Sequence, residues 1–331
     1  MRDPAFWWRK PGIRAALLSP LAAGYGAIAA RRMGKTGAPV GIPVLCVGNF
    51  TLGGAGKTPT TITLAKMLGE AGERVFCLSR GYGGSLAGPK SVDVHADTAA
   101  QVGDEALLLA RAAPTIIARD RVAGAELARA RGASVVVMDD GLQNGSIAKD
   151  FALAVIDGRR GIGNGKVFPA GPLRAPLAAQ LAPTDALLVV GEQVNDEVAG
   201  LARARRLPVL HGKLVPDPAA VTALKPQRVL AFAGIGDPDK FFATVAAAGI
   251  AVAATKSFPD HHRYTAEEAA ELVMDAEHDG LTPLTTEKDH ARMSGEPALT
   301  ALFARAQVLP VAMVVEEAGE LRKLATAALR R

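Results

Sequence analysis

A glycine-rich segment at residues 48–59 holds the side chains whose types and spacing are best suited to chemistry on a phosphate group. It follows an apolar run at 42–47, which predicts a strand, and precedes a helix-like run at 58–70. Glycines let backbone N–H groups turn toward phosphate oxygens, and the N-terminus of the next helix adds partial positive charge. Lys57 would then reach the β- and γ-phosphates, and the Thr58 hydroxyl would bind Mg²⁺. The pattern predicts a P-loop rather than a glycine turn before an ordinary lysine.

Two pairs of neighbouring carboxylates could complete such a site. Asp139 and Asp140 follow an apolar run at 134–138, the position at which a strand-terminal carboxylate of a P-loop protein holds Mg²⁺. The alternative is a turn, because Asp-Gly is also a turn signal. Asp104 and Glu105 open a helix-like run. They could be ordinary partners of the helix dipole, or a second Mg²⁺ ligand and a general base for a hydroxyl group.

Two adjacent histidines, His261 and His262, lie in a polar cluster at residues 258–265. Neighbouring histidines point in different directions, so by themselves they make a poor metal site. One of them could orient a catalytic carboxylate or share a proton with it. The alternative is a surface loop before a helix that Thr265 caps, with Glu268 completing a capping box.

Three other segments have the composition of binding loops. Residues 79–84, which include Tyr82, follow a predicted strand, where open α/β sheets bind ligands. Residues 159–174 form a long basic loop whose arginines suit phosphate binding. Residues 286–289 have side chains that could take part in catalysis, but the start of a helix explains this segment equally well.

The elements that must position these residues alternate along the chain. Apolar runs predict buried parallel strands, and helix-like segments at 105–113, 121–131 and 195–205 supply the crossovers. The predicted strands lie at 75–78, 115–118, 134–138, 152–156 and 186–190. A proline-rich linker is predicted at 215–226, followed by a second α/β unit that ends in a helix at 316–330. We therefore expect a P-loop α/β/α lobe at 35–220 and a smaller α/β lobe at 221–331.

The N-terminal segment 1–34 is apolar and basic. Trp7 and Trp8 stand beside two cations, and an apolar stretch at 15–30 follows, with arginines at both ends. This stretch is short for a membrane span, and tryptophan with basic residues beside it is typical of a helix lying on an anionic membrane surface. The alternative is a helix packed on the core of the protein itself.

Composition limits the other classes of function. The chain has 331 residues, of which 49% are hydrophobic and 21% charged, as in an ordinary globular protein. The net charge of +5 has no nucleic-acid-binding motif beside it, so we expect no nucleic-acid partner. Cys46 and Cys77 both lie in strand-like runs, which predicts buried free thiols.

Taken together and in this order, the motifs resemble the tetraacyldisaccharide 4'-kinase family, the lipid A 4'-kinases of Gram-negative bacteria. The segments that carry the resemblance are residues 7–9, 47–49, 53–59, 79–83, 103–105, 139–143, 163–165, 169–174, 258–262 and 286–289. Thr51, which departs from the strict P-loop pattern, has the form usual in this family. Ala175 stands where the family commonly has glutamate, which puts in doubt any contact that a carboxylate would make there.

The resemblance implies a kinase that transfers the γ-phosphoryl group of ATP to the 4'-hydroxyl of a tetraacyldisaccharide 1-phosphate, in a cleft between two α/β/α lobes. The implied ATP site consists of Thr51, Gly53, Gly54, Ala55, Gly56, Lys57 and Thr58. The implied Mg²⁺ ligands are Thr58, Glu105 and Asp140. The implied catalytic residues are Lys57, Asp104 as base and His261 as its partner, although His262 could take that role. The weaker, substrate-binding candidates are Tyr82, Asp139, Gln143 and Arg174.

The resemblance also implies a lipid-linked substrate at the cytoplasmic face of the bacterial inner membrane, with no obligate protein partner. Residues 1–34 would hold the protein there, either peripherally or as a monotopic anchor. The rival interpretation is a P-loop GTPase or ATPase that acts as a switch or metal-insertion chaperone and has no sugar acceptor. The histidine pair supports it slightly, but the chain has no guanine-specificity motif of the Asn-Lys-x-Asp type.

Overall fold

Two β-sheets organise the chain in the computed structural model, which describes residues 4–191 and 196–330. The strands are β1 (Val44–Gly48), β2 (Val75–Ser79), β3 (Lys90–Ser91), β4 (Thr115–Ile117), β5 (Val135–Asp139), β6 (Phe151–Asp157), β7 (Ala186–Val190), β8 (Val209–Pro216), β9 (Arg228–Ala233), β10 (Ala251–Ser257), β11 (Thr282–Thr285), β12 (Gln307–Val308) and β13 (Val311–Val315). The helices are α1 (Ile13–Met33), α2 (Lys57–Glu70), α3 (Ala99–Val102), α4 (Asp104–Ala112), α5 (Arg121–Ala130), α6 (Leu177–Leu181), α7 (Asp196–Arg205), α8 (Pro218–Leu224), α9 (Pro238–Ala247), α10 (Ala266–His278), α11 (Glu287–Met293), α12 (Thr300–Arg305) and α13 (Ala318–Ala328). Most predicted strands and helices therefore agree with the observed ones to within one or two residues. Asn195, the predicted start of α7, lies outside the described residues.

Within the described residues, the larger sheet has nine strands, in the order β13-β8-β7-β6-β1-β5-β2-β4-β3. The strands from β8 to β4 pair in parallel, which agrees with the near-continuous apolar runs of the sequence. Alternate residues of β1 face opposite sides: Cys46 packs in one hydrophobic cluster and Leu45 in another. The lobe is therefore an α/β/α sandwich. β1 lies between β6 and β5, where the strand order changes direction, and such a point is a common ligand site.

The smaller sheet has the order β10-β9-β11-β12 and is entirely parallel. Helices α9 to α12 lie between its strands in the chain, and α10 begins as predicted, with Thr265 and Glu268 forming a capping box. The proline-rich segment at 215–226 does connect the two sheets. It is not an extended linker, however, because it holds the end of β8 and then helix α8, which Asp217 caps through its side chain.

The last strand and helix return to the larger lobe. Strand β13 pairs antiparallel with β8, and Leu321 and Ala325 of α13 pack in the same cluster as Leu45. The sequence analysis placed the final helix in the second unit, and this placement was wrong. Hydrophobic periodicity indicates which face of a helix is buried, but it does not indicate which of two sheets covers that face.

Both cysteines are buried and free, as predicted. Cys46 lies in β1 and Cys77 in β2, at the centre of the larger sheet. Burial raises the pKa of each thiol to about 12, so neither is a reactive thiolate at neutral pH.

Candidate active site

The predicted P-loop connects β1 to α2. It holds the five predicted residues Thr51, Gly53, Gly54, Ala55 and Gly56. Gly53 and Gly56 have positive φ angles of 96° and 92°, a conformation that favours glycine, and Gly56 is the residue before the first turn of α2. The buried side chain of Asn49 donates from Nδ2 to the carbonyl oxygens of Thr51 (2.7 Å) and Gly53 (3.3 Å). The loop is therefore held by its own chain in a shape that turns toward the N-terminus of α2.

Asp139, the last residue of β5, lies against the first turns of α2. Its Oδ2 accepts a hydrogen bond from Thr58 (3.3 Å) and its Oδ1 accepts one from Thr61 (2.8 Å). Burial, with the negative charges of Glu105 and Asp140, raises the pKa of Asp139 to about 6. Asp139, which was predicted to bind substrate, thus contacts α2. A bound cation would reduce the electrostatic repulsion between Asp139 and its neighbours Glu105 and Asp140.

Asp140 joins the P-loop to the basic loop at 159–174. Arg174 donates from Nη1 to both carboxylate oxygens (2.8 and 2.9 Å) and from Nε to the carbonyl oxygen of Thr51 (3.0 Å). Lys57 Nζ lies 3.8 Å from Asp140 Oδ1. Burial alone would raise the pKa of Asp140, but the charges of Lys57 and Arg174 outweigh burial and hold it well below its usual range. Asp140 is therefore a stable carboxylate beside the P-loop lysine.

Asp104 and Glu105 occupy the first turn of α4, and each pairs with a cation from helix α11 of the smaller lobe. Lys288 Nζ donates to Glu105 Oε1 (2.6 Å), and Arg292 Nε donates to Asp104 Oδ2 (2.7 Å). Asp104 is only 3% exposed. Burial opposes the charge of Glu105, but Lys288 and Lys57 lower its pKa below the usual range. Both carboxylates are therefore anionic, and the two lobes meet at them.

His261, rather than His262, lies beside Asp104. Its Nδ1 is 3.5 Å from Asp104 Oδ2, and its ring makes a T-shaped contact with the exposed ring of Tyr82 at a centroid distance of 4.9 Å. The contact with Asp104 raises the pKa of His261, although burial opposes this shift. His262 instead pairs with Glu268 through Nε2 (2.7 Å). The folded chain thus distinguishes two histidines that the sequence left interchangeable.

The side chain of Gln143, which was predicted to bind substrate, makes hydrogen bonds within the protein. Its Nε2 donates to the carbonyl oxygen of Asn49 (2.7 Å) and to Oε1 of Gln180 (2.7 Å). Gln180 in turn donates to the carbonyl oxygens of Phe50 (3.2 Å) and Ala175 (2.8 Å). Both glutamines therefore hold the segment after β1. Ala175 is fully buried after the basic loop, and its carbonyl oxygen accepts the hydrogen bond from Gln180.

The smaller lobe also approaches the P-loop itself. A methyl group added at Gly236 would lie 3.5 Å from the backbone nitrogen of Gly54. Beside the histidine loop, Arg263 Nη2 donates to the carbonyl oxygen of Gly83 (2.8 Å). The smaller lobe therefore contacts the larger one both at the P-loop and at the loop that holds Tyr82.

Arginines of the basic loop contribute to this closure. Arg159 and Arg160 both donate to Asp237 Oδ2 of the smaller lobe, at 3.0 and 2.8 Å. Across the same boundary, Lys240 Nζ donates to Asp157 Oδ2 (3.2 Å). These two arginines, for which the sequence suggested phosphate binding, are engaged in contacts between the lobes.

The residues present fit a magnesium ion. The Thr58 hydroxyl, Asp139, Asp140 and Glu105 supply oxygen donors, which Mg²⁺ prefers. Burial, and after it the charges of Glu105 and Asp140, raise the pKa of Asp139, so a cation beside it would stabilise its ionised form. Thr58, Glu105 and Asp140 stay the predicted ligands of the ion.

Sequence reasoning missed three residues of this site. Lys288 and Arg292 contact the carboxylates of α4, and Thr61 supports Asp139. The available signals were the polar segment 286–289, which includes Lys288, and the spacing of Lys288 and Arg292, which places them on one face of a helix that Thr286 caps. Nothing in that spacing indicated that the face would meet residues near position 104.

Comparison with known proteins agrees with this architecture. The family model described as Tetraacyldisaccharide-1-P 4'-kinase matches residues 14–330. A tetraacyldisaccharide 4'-kinase of Rhodopseudomonas palustris (strain BisA53) is 54% identical over 99% of this chain and 96% of its own length. The corresponding protein of Methylobacterium sp. (strain 4-46) is 55% identical over 100% and 98%. The crystal structure of the "apo" form of LpxK from Aquifex aeolicus in complex with ATP superposes with a TM-score of 0.72, at 26% identity over 95% of this chain and 99% of that one. The resemblance carried by the motifs and the predicted α/β fold are both confirmed, and the chain belongs to the tetraacyldisaccharide-1-phosphate 4'-kinase family.

Proposed function

We propose that the protein transfers the γ-phosphoryl group of ATP to the 4'-hydroxyl of a tetraacyldisaccharide 1-phosphate, a step of lipid A biosynthesis. The observation that carries the proposal is one cleft with a P-loop lysine on one side and the Asp104–His261 pair on the other, in a chain of this family. ATP is bound by the structural relative, and a tetraacyldisaccharide is the substrate in the names of the sequence relatives. Phosphoryl transfer needs mainly positioning and charge stabilisation, which this cleft can supply.

At the nucleotide end, the backbone N–H groups from Thr51 to Thr58 bind the phosphates. Lys57 is 9% exposed, and burial lowers its pKa although Asp140 opposes the shift. Its ion pair with Asp140 is long, at 3.8 Å, so the ammonium group can turn to the β- and γ-phosphates at little cost. Mg²⁺, when Thr58, Glu105 and Asp140 hold it, supplies positive charge that stabilises the phosphate oxygens.

At the acceptor end, Asp104 takes the proton of the sugar hydroxyl. Its burial would raise its pKa, but the contact with His261 and the charge of Arg292 hold the pKa well below its usual range. Asp104 is therefore ionised at neutral pH and ready to accept a hydrogen bond. His261 orients it, and the exposed ring of Tyr82 beside His261 offers a surface for the sugar.

Helix α1 would bring this cleft to a membrane. It is long and apolar enough to cross one, with a mean hydropathy of 1.3, and only 17% of that stretch is buried. Signal sequences and core helices can have the same length and composition, so the placement rests on which side chains of α1 are exposed. The exposed apolar side chains recur every three or four residues and so form one stripe, the membrane stripe: Ile13, Leu17, Leu21, Tyr25 and Ile28. Buried on the opposite side, Gly26 faces Pro176 of the protein.

We infer that the protein lies peripherally or monotopically on the cytoplasmic face of the inner membrane. Exposed basic residues at both ends of α1, Arg14 and Arg31 among them, would meet anionic lipid headgroups. The acyl chains of the substrate could then stay in the lipid while its sugar enters the cleft. No nucleic acid and no obligate protein partner enter this proposal.

A double substitution of the membrane stripe tests this placement. Leu17→Glu with Leu21→Glu should lower binding to anionic phospholipid vesicles by about 10-fold or more, because each leucine loses ~1.5–3 kcal/mol of apolar transfer energy. Sedimentation with vesicles measures it. Met274→Glu, at an exposed apolar position of the smaller lobe, is the matched control and should bind like wild type. Equal binding by all three proteins would contradict the interfacial placement.

The proposed reaction itself is tested by incubating the purified protein with γ-labelled ATP, Mg²⁺ and detergent-dispersed tetraacyldisaccharide 1-phosphate. Label should appear in the lipid. An acceptor that already carries a 4'-phosphate is the control and should take up none. If instead labelled phosphate is released to water at the same rate with and without acceptor, the protein is a switch-like NTPase and the kinase proposal is wrong.

A further inference from the structure

Arg292 of helix α11 occupies an unusual place between the lobes. Its side chain is only 7% exposed. Nε donates to Asp104 Oδ2 of the larger lobe (2.7 Å), and Nη1 donates to the carbonyl oxygen of Gly234 (2.7 Å) and to Asp289 Oδ1 (2.8 Å). One guanidinium group thus connects the proposed base to the core of the smaller lobe.

The anchor on the side of the smaller lobe is rigid. Asp289 is fully buried, and besides Arg292 it accepts hydrogen bonds from Gly234 N (3.0 Å), Tyr264 Oη (2.9 Å) and Thr286 Oγ1 (2.6 Å). With its lone pairs satisfied in this way, Asp289 has a single orientation. The planar guanidinium of Arg292 is therefore held in one plane and cannot rotate away without breaking several hydrogen bonds.

One nitrogen of this guanidinium is not satisfied. Arg292 Nη2 is buried and has no hydrogen-bond partner within residues 4–191 and 196–330. Leaving a buried N–H of a charged group without a hydrogen-bond partner costs free energy, so this unpaired nitrogen needs an explanation. In a guanidinium group, Nη2 lies on the same edge as the N–H of Nε. Because Nε bonds to Asp104, a free Nη2 hydrogen points beside the carboxylate that is proposed to take the proton of the acceptor.

We propose that Arg292 Nη2 donates a hydrogen bond to an oxygen of the acceptor sugar adjacent to the hydroxyl that Asp104 deprotonates. The inference rests on the proposed function and adds a substrate contact to it. In a hexopyranose, the oxygens that flank the 4-hydroxyl are the one on the neighbouring C3 and the one on C6, in the hydroxymethyl group that C5 carries, and either can accept a hydrogen bond. Arg292 thereby touches the acceptor and positions its base with one rigid group.

This contact would couple acceptor binding to the contact between the lobes. Arg292 comes from α11, whereas Asp104 comes from α4, so both ends of the contact exist only when the lobes are together. Lys288, one turn earlier in α11, holds Glu105 in the same way. An acceptor bound by Arg292 stabilises this arrangement, since it fills the donor that is otherwise buried and unpaired.

The test compares wild type with Arg292→Lys, Arg292→Ala and the control Arg305→Lys, whose exposed pair with Glu277 lies on the same lobe. Lysine keeps a charge near Asp104 but lacks the second nitrogen of the fork. We expect Arg292→Lys to raise the acceptor KM by about 10- to 100-fold with a smaller loss of kcat, because one charge-assisted hydrogen bond is lost. The nucleotide Kd, measured without acceptor, should not change, and Arg305→Lys should match wild type throughout. In Arg292→Ala, added guanidinium ion should restore the acceptor KM and ammonium ion should not.

An unchanged acceptor KM with a lowered kcat would overturn the proposal, since Arg292 would then act only through Asp104. Weaker nucleotide binding by the Arg292 variants would also overturn the proposal, because it would mean that Nη2 contacts a phosphate. Circular dichroism shows whether the two Arg292 variants fold. If neither folds, the test is instead the KM of the wild-type protein for acceptors that lack the oxygen on C3' or on C6'. One of the two should raise the KM about 10-fold, and no change with either overturns the contact. Label transfer by wild type tests the proposed function separately.

Discussion

Replacing Lys57 by methionine should lower kcat for phosphoryl transfer by about 10³-fold or more, because the methionine cannot neutralise charge on the transferring phosphate. Methionine has a similar length and fits a position that is 9% exposed, so the fold should survive. Label transfer from γ-labelled ATP to the lipid acceptor measures the loss. Thermal unfolding should show little change, since burial lowers the pKa of Lys57 and its ion pair with Asp140 is long, at 3.8 Å.

The matched control for this variant is Lys240→Met. Lys240 also pairs with a carboxylate at the cleft, Asp157 at 3.2 Å, but it lies outside the P-loop. We expect that variant to stay near wild type in kcat, because a partly exposed pair contributes only about 0–1 kcal/mol. Equal losses in the two variants would mean that general charge in the cleft, rather than contact of Lys57 with the phosphate, governs the rate.

Replacing Asp104 by asparagine should lower kcat by about 10²- to 10⁴-fold while the nucleotide Kd stays unchanged, because an amide cannot accept the proton of the sugar hydroxyl. The substitution keeps the shape of a side chain that is 3% exposed. It also removes the carboxylate that raises the pKa of His261, so this pKa should fall toward its ordinary value. Kinetics and histidine titration by NMR measure the two effects.

Two further variants distinguish this chemical loss from a structural one. His261→Asn should lower kcat, since it removes the partner 3.5 Å from Asp104, whereas His262→Asn should act through stability alone because His262 pairs with Glu268. Arg292 keeps Asp289 as a partner in Asp104→Asn, which limits the cost of its buried charge. Near-normal turnover by a folded Asp104→Asn variant would remove Asp104 as the base.

Much of the fold could be predicted from local sequence. Residues 42–70 alone predict a strand, a glycine-rich loop and a helix, and the helix predicted to begin at Thr58 begins one residue earlier, at Lys57. The capping box of Thr265 and Glu268 is equally local. Buried parallel strands follow from apolar runs because both faces of such a sheet are covered. The candidate carboxylates and Lys57 could be named because each belongs to a short pattern with its own chemistry.

Only the tertiary structure decided which distant residues meet. Lys288 and Arg292 lie 183 and 188 positions from the carboxylates that they contact. The return of β13 to β8 and the choice between His261 and His262 likewise depend on how the elements pack. The physical reason is that local patterns report propensity and the buried face of each element, whereas pairing between lobes is set by the packing of whole elements against one another. The sequence by itself determined the fold class, the P-loop and the carboxylates; the folded chain alone determined which cations and which histidine meet them.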